Sequence, residues 1–131
     1  MAQVMREAIA KAGLSPADVD YVNAHGTGTA ANDRTETRAI KTVFGSDATP
    51  PVSSTKSMTG HGLGASGGVE AVATVLSLSR GMIPPTANFV EPDPECDIDC
   101  VPLNSRPASL KAALSNSFAF GGLNASLLFT A

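Results

Sequence analysis

Val19-Asp20-Tyr21-Val22-Asn23-Ala24-His25-Gly26-Thr27-Gly28-Thr29 decides how this chain folds. Residues 19–24 are rich in β-branched and aromatic side chains and read as a strand. His25 falls where that strand ends, and a glycine-rich turn follows. Beyond it, Ala39, Ile40, Val43 and Phe44 recur at helical spacing, with Asn32 or Asp33 as the cap and Gly45 as the stop. The unit is therefore strand, turn, helix.

A second strand, turn and helix follow in order, without any internal sequence repeat. Residues 51–54 form a short strand, Lys56 and His61 come in the turn after it, and residues 67–80 form a helix. That helix is apolar on most sides (Val69, Ala71, Val72, Ala73, Val75, Leu76, Leu78), which predicts burial. Upstream, Val4, Ala8, Ile9 and Ala12 lie on one face of a helix that Gly13 ends. Ser15-Pro16-Ala17-Asp18 is a capped helical turn. Towards the other end, residues 81–94 are a proline-rich loop and 98–103 a short strand. Residues 112–117 and 125–130 are strands flanking the turn 118–124 and can pair as a hairpin. This order predicts an α/β domain over residues 1–131, layered α/β/α, with a mixed five-stranded sheet ending in antiparallel strands.

The composition sets limits on function. The chain has 131 residues, 43% hydrophobic and 16% charged, so it can build a core. Its net charge of -3, without a basic stripe, argues against a nucleic-acid partner. The apolar run 69–78 is too short to span a bilayer, and the first residues lack the form of a signal peptide. The expectation is a cytoplasmic protein with no membrane contact. Cys96 and Cys100 are too few for a disulfide scaffold, and two histidines already in other motifs are a poor supply of metal ligands, so no metal is expected.

Chemistry concentrates in three glycine-rich turns, each after a strand. In an open α/β sheet such turns converge outside the carboxyl ends of the strands. His25 and His61 there can donate hydrogen bonds to a developing oxyanion, or move protons if one ring is charged. Lys56 can hold a histidine neutral by its charge or pair with a carboxylate such as Glu70. The turn Phe118-Ala119-Phe120-Gly121-Gly122 offers backbone N–H groups and an aromatic wall. Neither a phosphate loop nor a dinucleotide fingerprint is present. These residues imply a carbonyl compound that passes through an enolate or a tetrahedral oxyanion.

Five runs, in order, carry a more specific signal: residues 21–29, 52–61, 64–70, 84–88 (Pro84-Pro85-Thr86-Ala87-Asn88) and 115–124. With them the chain resembles the C-terminal half of an elongating β-ketoacyl-(acyl-carrier-protein) synthase of the thiolase-like superfamily. The resemblance implies a decarboxylative Claisen condensation between malonyl-acyl-carrier protein and an acyl thioester, in fatty acid or polyketide biosynthesis. It implies that His25 and His61 bind the malonyl thioester. Lys56 would support the site electrostatically, with Glu70 in its network. Thr27 and Thr29 would bind the phosphopantetheine arm that carries the substrate, and no cofactor is expected beyond that carrier. Phe120 would be a gate whose N–H helps to form an oxyanion hole, with Phe118 and Gly121 beside it as substrate-binding residues.

The family's nucleophilic cysteine belongs to the N-terminal half. Cys96 and Cys100 do not match its motif, so the chain alone is expected to be inactive. Expected partners are acyl-carrier protein, that N-terminal half and, when complete, a second copy. The alternative is a non-catalytic module that binds acyl-carrier protein or its pantetheine arm. Gly28 and Leu123 stand where many elongating synthases have serine and threonine, which leaves fatty-acid, polyketide and nodulation subfamilies open.

Overall fold

The computed structural model describes residues 1–131. Helix α1 (Ala2–Lys11) leads through a 3-10 turn at Pro16–Asp18 into strand β1 (Tyr21–Asn23). Helix α2 (Ala30–Phe44), strand β2 (Val52–Ser53), a one-turn helix α3 (Lys56–Thr59) and helix α4 (Ser66–Arg80) follow. Two short strands, β3 (Met82–Ile83) and β4 (Arg106–Pro107), precede the long hairpin of β5 (Ala112–Phe118) and β6 (Asn124–Thr130). Helix α2 starts earlier than Asn32 or Asp33 would place it; Thr29 precedes its first residue and Asp33 falls in its first turn.

The main sheet has four strands in the order β2-β1-β5-β6, and β3 pairs with β4 in a separate ribbon. Both neighbours of β1 run parallel to it, and β5 and β6 run antiparallel. The expected mixed sheet with an antiparallel end is present, but it lacks the fifth strand expected at 98–103. Val101 (φ 49°) and Leu103 (φ 62°) adopt left-handed backbone on either side of Pro102, which breaks the extended run and leaves only an isolated parallel bridge between Pro102 and Thr86. One hydrogen bond, from Val52 N–H to Asp99 O at 2.8 Å, is what ties that segment to the β2 edge.

Alternation along the strands sends residues to two cores. Val22 and Leu114 join Met5, Ile9, Ile40, Val43 and Phe44 beneath α1 and α2. Tyr21 and Ala113 face the other way, with Leu78, Ile83 and Val101. By the same alternation Asn23 and His25 face α4. The sheet side of α4 is correspondingly polar: Ser66, Glu70, Thr74 and Ser77 are buried there. Asn23 Nδ2 donates to Glu70 O (3.3 Å) and Thr74 Oγ1 (3.2 Å).

This overturns the expectation that α4 is buried all round. Val69, Val72, Val75 and Leu76 point outward and are 42–61% exposed. A polar network occupies the inner face, so the aliphatic residues are left on the outer one. On the opposite side of the sheet, Arg34 pairs with Glu95 (2.6 Å) and Asp93 (3.4 Å), and Lys41 pairs with Asp97. Pairs at the surface contribute little singly, but together these tie segment 93–97 to α2.

Candidate active site

Parallel strands β1, β2 and β5 end on the same edge, so the turns that follow them meet. His25 lies at the end of β1 and is buried, 8% exposed. The turn beyond it is held by one carboxylate. Glu36 in α2 accepts from His25 N–H through Oε1 and from Gly26 N–H through Oε2, both at 2.9 Å. Asn116 Nδ2 reaches Oε1 at 3.2 Å, and Asn32 Nδ2 reaches Oε2 at 3.3 Å. Burial pushes the Glu36 carboxyl up, and these hydrogen bonds oppose the shift. Gly26 is required for a second reason. At φ 38° a Cβ on it would lie 2.5 Å from Ser54 Cβ, while its carbonyl accepts from Ser54 Oγ at 2.8 Å.

The sequence singled out His25 but not Glu36, the carboxylate that holds its turn. Glu36 sits in a helix whose charged residues read as a solvated face, and the only signal was its position eleven residues after His25, inside the next element.

Helix α3 brings Lys56 under the histidine. Its ammonium pairs with Glu70 and donates to His25 Nδ1 at 3.4 Å. Lys56 thus contacts both the histidine and the carboxylate. The Lys56 and Glu70 side chains are 4% and 2% exposed, and Glu70 Oε2 has no hydrogen-bond partner. His61, in the exposed loop after α3, stands with its ring centroid 5.4 Å from that of His25 and nearly perpendicular to it, at 83°. Its Nδ1 accepts from Leu63 N–H at 3.2 Å and hydrogen-bonds Ser66 Oγ at 2.9 Å.

These contacts settle the tautomers. A lysine ammonium and a backbone amide can only donate, so each Nδ1 is an acceptor, and a ring in its neutral form carries its proton on Nε2. The His25 imidazole is pushed down to about 4, first by burial, then by the positive charge of Lys56 and by His61, against a smaller opposite effect of Asp33. His25 is therefore expected to stay neutral from about pH 5 to 8 in the folded chain. Its ring Hε1 resonance should be flat across that range; a midpoint near 6.5, the value of an unperturbed histidine, would refute this. Because the folded value is depressed, His25 favours folding above about pH 6.5, and that contribution is lost as the pH falls from there to about 4.

Phe118 packs edge-on to His25, with centroids 6.0 Å apart. Phe120 is placed differently: it projects from the β5–β6 turn and is fully exposed, beside Gly121 at φ 77°. Thr27 and Thr29 follow His25 in the turn, with their hydroxyls hydrogen-bonded to each other at 2.9 Å. They line a cavity of about 480 Å³ between α2 and segment 86–100, which Lys56, Ser57, Cys96 and Cys100 also line. Both cysteines are free, and burial pushes both thiols up, which disfavours a nucleophilic thiolate. No group of three or more His, Cys, Asp or Glu side chains is arranged to hold a metal ion.

The family model described as "Beta-ketoacyl synthase, C-terminal domain" matches residues 1–90. The 3-oxoacyl-[acyl-carrier-protein] synthase 2 of Synechocystis sp. is 58% identical over 123 residues, covering 93% of this chain and 30% of its own length. Nodulation protein E of Rhizobium sp. (strain N33) is 55% identical over 126 residues, covering 95% and 31%. Among solved structures, the ishigamide ketosynthase/chain length factor superposes with a TM-score of 0.96 at 43% identity, over 98% of this chain and 32% of that one. A type II polyketide ketosynthase in complex with its acyl-carrier protein superposes with a TM-score of 0.95 at 40% identity, over 99% and 32%. The chain thus spans about a third of the length of these relatives.

Proposed function

Because the chain belongs to the β-ketoacyl synthase C-terminal domain family, we propose that His25 and His61 are the malonyl-binding pair of a decarboxylating condensation site. The observation that carries this reading is the arrangement of two imidazoles 5.4 Å apart, each with Nδ1 engaged behind it. Each then offers an Nε2–H to a common acceptor. A thioester carbonyl oxygen between them would gain two donors as it becomes negative, and a neutral His25 costs no proton transfer to do so.

In the proposed reaction the malonyl C–C bond breaks and carbon dioxide leaves. The bonding electrons pass into the thioester as an enolate whose oxygen the two Nε2–H groups hold. The enolate carbon then attacks an acyl thioester carried on a cysteine outside this chain. The tetrahedral oxyanion collapses to the 3-oxoacyl thioester and expels the cysteine thiolate. Thr27 and Thr29 would bind the pantetheine arm of acyl-carrier protein in the cavity they line. Phe120 and Gly121 would complete the site from the β5–β6 turn. The outer aliphatic face of α4 would be covered by the remainder of the synthase, in the cytoplasm; no helix of the chain is long and apolar enough to cross a membrane.

The test is complementation. The chain is combined with an N-terminal half that supplies the cysteine, and decarboxylation of malonyl-acyl-carrier protein is followed. His25→Ala and His61→Ala are each expected to lower kcat by about 10²–10³-fold, the cost of one oxyanion donor. Unchanged rates in both variants would overturn the reading. The Thr27 and Thr29 cavity by itself favours a second reading, a module that binds the arm without chemistry. Retained binding of acyl-carrier protein with no decarboxylation in the complemented wild type would select it.

A further inference from the structure

The two histidines are oriented by different means. His25 is buried against Phe118 and backed by Lys56. His61 is exposed, flanked by Gly60 (φ 74°) and Gly62, on a loop that imposes little on a ring. Two groups reach its Nδ1. Leu63 N–H donates over a long 3.2 Å. Ser66 Oγ is closer, at 2.9 Å, and Ser66 is only 7% exposed. A hydroxyl buried there is costly without a partner, so Ser66 holds the ring as firmly as the ring holds it.

Ser66 is the first residue of α4, and Glu70 is four residues further along, on the same buried face. Glu70 fixes Lys56, and Lys56 backs His25. We infer that Ser66 is the positioning residue of His61, so that one face of α4 aims both imidazoles: through Glu70 and Lys56 at one ring, and directly at the other. The catalytic meaning of this assignment rests on the condensation reading above; the structural assignment does not.

The test uses the chain labelled with 15N-histidine, whose two rings give separable long-range 1H–15N correlations. In the wild type, His61 should show a proton confined to Nε2 and a ring as rigid as that of His25. Ser66→Ala should lower the population of that single state about fivefold, the equivalent of about 1 kcal/mol for one hydrogen bond. Its ring nitrogens should move towards each other and its ring relaxation should show added motion, with His25 unchanged. Ser66→Thr, which keeps the hydroxyl, should retain the wild-type pattern.

A His61 spectrum unaltered in Ser66→Ala overturns the inference. So does a Ser66→Thr variant with native amide signals that behaves like Ser66→Ala. In the complemented enzyme, Ser66→Ala should lower kcat about fivefold and leave KM unchanged. If the nitrogen shifts move as stated but the complemented wild type does not decarboxylate, the positioning role stands and the condensation reading falls.

Discussion

Replacing Glu70 by alanine is expected to destabilise the folded chain by about 3–5 kcal/mol, read from the urea midpoint. The reason is what it leaves behind. The Lys56 side chain is 4% exposed, and Glu70 is its only anionic partner. Without that carboxylate an ammonium stays buried against a neutral imidazole, which compensates its lost hydration poorly. Arg34 and Glu95 form the contrast. Their side chains are 39% and 50% exposed, so Arg34→Ala should cost about 1 kcal/mol or less in the ion pairs it breaks. The double variant Lys56→Met/Glu70→Leu removes both charges and should recover most of the stability lost in Glu70→Ala. A Glu70→Ala loss below about 1 kcal/mol would show that the pair is solvated and that Lys56 is not held in place by Glu70.

Glu36→Gln is expected to cost about 2–4 kcal/mol although it changes almost no volume. Glu36 is 2% exposed, and its two oxygens face different backbone amides, those of His25 and Gly26. A glutamine has one acceptor oxygen. Whichever way its amide turns, an NH₂ group faces a backbone N–H, and a buried donor is left unpaired. Asn116 and Asn32, which donate to the same carboxylate, face the same conflict. The loss should be accompanied by shifts of the His25 ring and amide resonances, because His25 is placed by this carboxylate. If Glu36→Gln matches the wild-type midpoint and leaves the His25 signals in place, the turn is held by its glycine conformations and not by the anion.

The two cases mark where sequence and structure part. Glu70 was legible in sequence because it follows Lys56 and His61 closely, in a run whose residue types imply one another. Glu36 was not, because it takes up the backbone amides of His25 and Gly26, which no residue type announces, and only packing brings Asn116, eighty residues on, to it. The strand 98–103 was misread for a related reason. Its composition suits a strand, but the left-handed backbone of Val101 and Leu103 is imposed by surroundings that local preference does not contain. Phe118 and Phe120 show the same limit. Two residues apart on one turn, they differ only in which way the chain turns them. Phe118 lies edge-on to His25, and Phe120 lies in solvent.

By itself, the sequence determined the α/β class, the three glycine-rich turns, and the gathering of His25, Lys56 and His61. Strand and turn preferences are local, and parallel strands place their following turns on one edge whatever the packing. Only the tertiary structure decided which nitrogen of each histidine carries the proton, which carboxylate holds the His25 turn, and which face of α4 is buried. Each of those depends on hydrogen bonds and ion pairs between distant elements. In a nearly dry interior such contacts outweigh the hydrophobic pattern of a single helix.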